Sequence, residues 1–167
     1  MNVQTTQEVT AFGSRLRRLL EHLDREVLAI YRAYGQRFEP RWYSLFAALR
    51  DQGPMTVGEL SHRLGVTHAA VSQVRTALEH EGLIHGEPDP HDGRRQMLSL
   101  TPKGHETGRR LAPLWATIAG AVRGMLAEHA PTLLTDLDAL ESALDQRGLL
   151  ARVNASLNLE TLDADPE

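Results

Sequence analysis

The stretch DPHDGRRQMLSLT, Asp89 to Thr101, joins Pro- and Gly-containing turn signals to two adjacent arginines and an alternating apolar run. Arg94 and Arg95 fall at the tip of that turn with Asp92 just before them, a cationic fork that a merely solvated loop does not require. A second set of residues lies upstream, in THAAVSQVRTALEH. If that run is a helix with Val71, Val74 and Leu78 inward, then at about 100° per residue Ala69, Ser72, Gln73 and Thr76 face outward, flanked by His68 and Arg75. This face is small and polar and carries no bulky acid. Gln can pair with adenine, Ser and Thr hydroxyls donate or accept, and the Ala69 and Thr76 methyls can meet thymine, which is the chemistry a DNA major groove accepts.

The histidines suggest a different chemistry. Six of the eight lie between His62 and His105. His80 and His85 flank a glycine on different elements, and no pair has i, i+4 ligand spacing on one face with a carboxylate partner, so no metal site is expected. The chain has no cysteine, which excludes disulfides, thiolate zinc sites and sensing by cysteine oxidation.

The elements that must position these residues are legible from periodicity and caps. Leu16, Leu19, Leu20, Leu23, Val27, Tyr31 and Tyr34 recur at three- and four-residue spacing, predicting a helix from about residue 10 to 37. Pro40 suits the first turn of a second helix with Trp42, Leu45, Phe46 and Leu49 on one face, stopped by Gly53-Pro54. Thr56-Val57-Gly58-Glu59 reads as a capping box that opens a short helix bearing Leu60 and Leu64, which Gly65 ends. Thr67 caps the next helix so soon afterwards that the two must be joined by a tight turn, the helix-turn-helix arrangement. LIHGE, the turn PDPHDG and RRQMLSL predict a β-hairpin with Leu98 and Leu100 on one face. Thr101-Pro102 caps a long helix to about His129, and Pro131 begins a final helix lined by Leu133, Leu134, Leu137, Leu140 and Leu144. The expected fold class is therefore mainly α with a small β-hairpin (α+β), a winged helix-turn-helix flanked by long N- and C-terminal helices.

At 167 residues with 41% hydrophobic and 24% charged content, the balance is that of a soluble globular chain. No apolar run approaches a membrane span, and MNVQTTQEVT lacks the basic-then-apolar pattern of a signal peptide, so a cytoplasmic protein without membrane contact is expected. The net charge of −4 hides an asymmetry: residues 128–167 hold nine acids against Arg147 and Arg152, a balance of −7, leaving +3 for the rest. An acidic end on a mildly basic body suits one face for an anion and another kept away from it.

The run TVGELSHRLGVTHAAVSQVRTALEHEGLIHGEPDPHDGRRQMLSLTPKG resembles the core of the multiple antibiotic resistance regulator (MarR) family. The resemblance rests on a capped short helix, a Val-Thr turn, a helix containing Val-Ser and Leu-Glu, a Gly-Leu-Ile strand, and an Asp-Pro-x-Asp-x-Arg wing ending in Leu-Thr. It covers roughly a third of the chain, and the flanking helices match the family's dimerisation arms. It implies a homodimeric transcription factor that binds a pseudo-palindromic operator in double-stranded DNA and responds to a small effector. Residues 1–38 would be the N-terminal dimerisation helix, 39–100 the DNA-binding domain, 101–160 the C-terminal dimerisation helices and 161–167 an acidic tail, with 10–158 one integrated domain. The family's DNA-contacting positions fall on Thr67, His68, Ala69, Ser72, Gln73, Arg75, Thr76, Asp92, Arg94 and Arg95. Arg94 matches the arginine that enters the minor groove, with Asp92 holding the loop, and Arg95 would meet the flanking phosphate. Gln73 stands where the family commonly has Arg, and Glu87 where a basic residue is frequent; both substitutions remove phosphate or guanine contacts.

Tyr31, Trp42, Tyr43 and Trp115 fall on three predicted helices, at the junction where family members bind phenolic or other small effectors; they read equally as core aromatics. Two other functions compete. A remnant of an acetyltransferase-fused regulator would need an acyl-carrier loop or a nucleophile–base pair, and the roughly 65 residues after the wing, all of helical pattern, contain neither. A winged helix used for protein–protein contact is separated by its lack of DNA binding at low salt. No enzymatic activity and no cofactor are expected.

Overall fold

The computed structural model describes residues 11–89, 92 and 95–163, with side chains described to residue 157. The chain divides into two compact units, one ending at Trp115 and the other beginning at Ala116.

In the first unit, helix α1 (Phe12–Ala33) buries Tyr31 and exposes most of its leucines. It stops short of the predicted residue 37. Gly35 takes φ +66°, a conformation other residues adopt at a cost, and the Gln36 amide donates to the Tyr31 carbonyl at 2.7 Å to close the end. A 3-10 turn (Pro40–Trp42) leads into α2 (Tyr43–Gln52), where Trp42, Leu45, Phe46 and Leu49 are buried together.

The capping box forms as its spacing requires. Helix α3 (Val57–Leu64) begins with the Thr56 hydroxyl accepting from the Glu59 amide at 3.2 Å, while the Glu59 carboxylate accepts from the Thr56 amide at 2.7 Å. Because a capping residue is already extended, Met55–Thr56 can also act as a strand. This two-residue β1, not anticipated by the sequence pattern, pairs antiparallel with β3 (Gln96–Leu100) through Met55↔Leu98 and Thr56↔Met97. On the other edge β2 (Ile84–Pro88) pairs with β3 from Ile84↔Leu100 to Pro88↔Gln96, giving the order β1-β3-β2.

Between α3 and the hairpin runs α4 (His68–His80). After β3, Thr101 opens α5 (Pro102–His129): its hydroxyl accepts from the Gly104 amide at 3.0 Å and donates to the Gly82 carbonyl at 2.7 Å. One residue thus caps the helix and ties it to the base of the hairpin. Gly104 permits the approach, since a Cβ there would collide with the Leu83 carbonyl oxygen.

The second unit holds the rest of α5, α6 (Leu133–Gln146) and α7 (Leu149–Asp163). Two helices stand where one was predicted. Arg147 is extended (φ −150°, ψ 101°), and Arg152 reaches back from α7 to donate to the Ala143 and Arg147 carbonyls at 2.7 and 2.8 Å. The guanidinium thus adds a second bond to the Ala143 carbonyl, which already accepts from the Arg147 amide at 3.1 Å, and supplies a donor to the Arg147 carbonyl at the break. Pro131 lies before α6 rather than in its first turn.

Candidate nucleic-acid interface

Helix α4 is held from beneath and open above. Gly65 adopts the left-handed conformation at φ +63°, which lets the Val66 amide bond the Ser61 carbonyl at 3.2 Å and the Ser61 hydroxyl donate to the Val66 carbonyl at 2.6 Å. Thr67 then caps α4, its hydroxyl accepting from the Ala70 amide at 3.2 Å. Val71 and Leu78 are buried and Val74 half-buried, while Thr67, His68, Ala69, Ser72, Gln73 and Thr76 are all exposed. The Thr76 hydroxyl donates to the Ser72 carbonyl at 3.0 Å, so its remaining capacity toward a ligand is as an acceptor.

Arg75 is placed differently from its neighbours. Its Nε donates to Glu79 Oε1 at 2.9 Å and its Nη2 to Gln96 Oε1 at 2.5 Å, so the guanidinium joins α4 to β3. An open cleft between the starts of α3 and α4 and the turn end of β3 is lined by Glu59, His62, His68, Arg75, Arg95 and Gln96. Thr56 holds the Glu59 carboxyl below the usual carboxylate range through its backbone and hydroxyl hydrogen bonds; the Arg95 charge adds to this, against desolvation and Asp89.

The hairpin tip is knotted by its own backbone. Asp89 N donates to the Arg95 carbonyl at 3.0 Å, Asp92 N to the Asp89 carbonyl at 3.2 Å, and Arg95 N to the Asp92 carbonyl at 2.8 Å. Arg95 Nε lies 3.5 Å from Asp92 Oδ2. Arg94, the residue expected at the tip, lies outside the described residues. On the hairpin's flank, His85 Nε2 sits 3.2 Å from Glu87 Oε1 and 3.2 Å from Ser99 Oγ. Among the described residues no cluster of three or more His, Cys, Asp or Glu could hold a metal.

Tyr31, Trp42, Tyr43 and Trp115 do come together, around a residue that periodicity does not single out. Phe38 meets Tyr31, Trp42 and Trp115 edge-on at 5.5 Å each and Phe46 at 5.4 Å. Trp115 Nε1 donates to the Tyr31 hydroxyl at 2.9 Å, and the Arg50 guanidinium sits 5.2 Å from the Trp115 ring centroid. Burial pushes the Tyr31 hydroxyl's pKa up. All of these rings are buried except Tyr43, which is 40% exposed. Trp42 Nε1 is buried with no hydrogen-bond partner among the described residues.

The sequence model of the MarR family matches residues 38–95, the stretch holding α2 to α4 and the outgoing strand of the hairpin. An HTH-type transcriptional regulator of Mycobacterium leprae is 30% identical over 126 residues, covering 74% of this chain and 74% of that protein. The chain belongs to the MarR family. Regulators of the same type in Staphylococcus aureus are 35% identical over 88 residues, 47% of this chain, and the match spans 60% of their length. The fold is shared with a MarR family regulator from Neisseria meningitidis, which superposes with a TM-score of 0.58 over 87% of this chain and 96% of its own at 21% identity, and with S. aureus MepR, solved in complex with DNA, with a TM-score of 0.66 over 80% of this chain and 97% of its own at 18% identity.

In this MarR-family chain the residues missed from sequence are those with no periodic or motif signal. Phe38 precedes a proline turn and lies between two helices, so no helical face includes it. Glu79 and Gln96 are ordinary polar residues until the hairpin folds back on α4 and brings them to Arg75. No described helix is long and apolar enough to cross a membrane.

Proposed function

We propose that this chain is a cytoplasmic, non-enzymatic transcriptional regulator that binds double-stranded DNA as a homodimer, laying α4 in the major groove and the hairpin wing along the adjacent minor groove. One observation carries the reading: α4 is capped at Thr67 and clamped by Val71 and Leu78, yet offers an open face of Ala69, Ser72, Gln73 and Thr76 with no acid on it. Thr67 and His68, at the N-terminus of α4, meet a phosphate, as helix N-termini favour. Arg94 enters the minor groove, Arg95 meets the flanking phosphate, and Asp92 steadies the tip.

A second copy covers the apolar surface of each unit, which includes Leu16, Leu19 and Leu20 on α1 and Leu134, Leu140 and Leu144 on α6. A two-fold pair of this kind presents two recognition helices roughly 34 Å apart, one DNA turn.

The test is a binding titration on duplexes with A/T-rich or G/C-rich flanks, at two salt concentrations. Arg94→Ala is expected to lose about 1–3 kcal/mol of binding, more on A/T-rich flanks where the narrow groove concentrates negative potential, with the salt slope falling by about 1. Arg95→Ala is expected to lose similar amounts on both flanks. Equal, flank-independent losses would reduce the wing to generic phosphate contact, and no DNA binding at low salt would favour a protein-interaction module.

An effector reading has its own support in the unpartnered, buried Trp42 Nε1. A small aromatic ligand bearing a hydrogen-bond acceptor would satisfy that donor by entering among Tyr31, Trp42, Tyr43 and Trp115. It would release DNA only by binding better to a dimer with different recognition-helix spacing. Tryptophan fluorescence quenched in step with DNA release would support this; release without quenching would contradict it.

A further inference from the structure

Among the described ion pairs of the hairpin region, two that involve arginine differ in kind. Arg95–Asp92 at the tip is loose, 3.5 Å long with side chains 66% and 46% exposed. Arg75–Glu79, on α4 beside the turn end of β3, is 2.9 Å long, its side chains 27% and 31% exposed, and the same guanidinium donates across 21 residues of sequence to Gln96. Gln96 opens β3 opposite Pro88 and directly follows Arg95. Any shift of Gln96 is therefore a shift of the wing.

Gly86 makes room for this arrangement. A Cβ at that position would lie 3.0 Å from Gln96 Oε1, 3.2 Å from Arg75 Nη2 and 3.2 Å from Glu79 Oε1, so the missing side chain leaves the space in which the three polar ends meet. A guanidinium suits the task. It is planar and can serve two acceptors from two elements at fixed angles, which a lysine ammonium on its flexible stem does not reproduce. With its charge matched by Glu79 and its Nε and Nη2 engaged on two elements, Arg75 is less available to a phosphate than a free arginine, although it lies on the same helix as Ser72 and Gln73.

We propose that the Arg75–Glu79–Gln96 bracket fixes the wing relative to the recognition helix, making Arg75 and Gln96 positioning residues for readout of the operator flank rather than DNA contacts. This rests on the proposal that α4 and the wing bind DNA. It assigns specificity to residues that touch no base.

The experiment uses the full chain and duplexes that the wild-type protein selects from a random library, followed by fluorescence anisotropy on A/T- and G/C-flanked versions and on an unrelated duplex. Arg75→Lys, Glu79→Asp and Gln96→Ala leave the net charge unchanged, so generic attraction to DNA stays constant. Each is expected to weaken binding to the selected duplex by about tenfold and to bring the ratio of A/T- to G/C-flank affinities toward one, while binding to the unrelated duplex holds. Arg95→Ala, costing about tenfold alone, should cost less than about twofold in the Gln96→Ala background, because a misplaced wing has little left to lose.

Arg75→Lys binding as tightly as wild type would overturn the proposal, since a phosphate contact is what lysine could replace. Additive losses for Gln96→Ala and Arg95→Ala would also overturn it. Circular dichroism identifies a variant that fails to fold, and Glu79→Asp, the mildest change, then carries the test. If the wild-type chain selects no duplex at all, the DNA reading fails, and this proposal with it.

Discussion

Phe46, Leu60, Leu78 and Leu98 in the winged unit are 0% exposed, whereas Leu134, Leu149 and Leu150 in the unit that begins at Ala116 are 62%, 66% and 74% exposed. From residue 116 to residue 157 no described side chain is buried. The helices of the second unit are regular, and Arg152 ties α7 to the end of α6, so the difference does not come from a lack of secondary structure. It lies in what the leucines pack against. The winged unit closes a core from its own helices and sheet, while the second unit has the periodicity of packed helices and no buried side chain among its described residues. Large exposed apolar surface of this kind marks an interface, here assigned to a second copy.

The comparison breaks most visibly if a charge is placed on that line. Leu140→Asp combined with Leu144→Asp is expected to halve the mass measured by light scattering at ~10 µM and to lower the melting temperature by more than about 10 °C, because an interface cannot accept unpaired buried carboxylates. If these leucines simply face water in the functional protein, the same pair changes stability by no more than about 0.5 kcal/mol each and leaves the mass alone.

Single truncations sharpen the contrast. Leu98→Ala is expected to cost about 2–5 kcal/mol, with no dependence on protein concentration, because its partners lie within one chain. Leu144→Ala should cost less, and its effect on denaturant midpoints should grow as the protein is diluted, the mark of stability linked to association. Equal concentration dependence for the two variants would mean that the winged unit does not hold its core alone. Gly104→Ala belongs with the first class: its Cβ meets backbone rather than a pliable side chain, so about 1–3 kcal/mol or more is expected from unfolding curves.

The winged unit was also the more legible from sequence, for related reasons. Caps and turn residues there act locally: Thr56 with Glu59, Thr67, Gly65, and Thr101 before Pro102 specify helix ends whatever surrounds them. Where a long-range partner decides, the pattern was silent. Met55–Thr56 becomes a strand only because β3 offers a free edge, and Arg75 becomes a bracket only when Gln96 arrives. The end of α1 is marked by Gly35, but Tyr34 continues the apolar rhythm up to it and masks the stop. In the second unit the leucine line ends at Leu144, before the α6–α7 break, and Arg152, which ties α7 back to the end of α6, is not part of any hydrophobic pattern. For the candidate site, the exposed face of α4 followed from helical geometry alone, while Phe38, at the centre of the aromatic cluster, follows from no periodicity.

The smallest expected effect concerns the box that opens the helix-turn-helix. Thr56→Ala should cost about 1 kcal/mol in thermal unfolding at neutral pH. The Glu59 carboxyl is held below its ordinary value of 4.5 by its hydrogen bonds to Thr56, so its contribution is present above that value and is lost as pH falls through the lower folded one. The gap between wild type and Thr56→Ala should therefore narrow in acid. A gap that is constant from neutral to acid pH would mean the carboxylate adds nothing.

The central claim is that the open face of α4 reads DNA, and the most direct measurement is the Kd of wild type, Ser72→Ala and Gln73→Ala on a duplex selected by the wild-type protein, at one fixed salt concentration. Gln73→Ala is expected to lose about 1–3 kcal/mol on that duplex, with a smaller loss for Ser72→Ala and no change for either on an unrelated sequence. Unchanged affinity of both variants for the selected duplex would contradict the account, because the face with no acid on it would then be facing water.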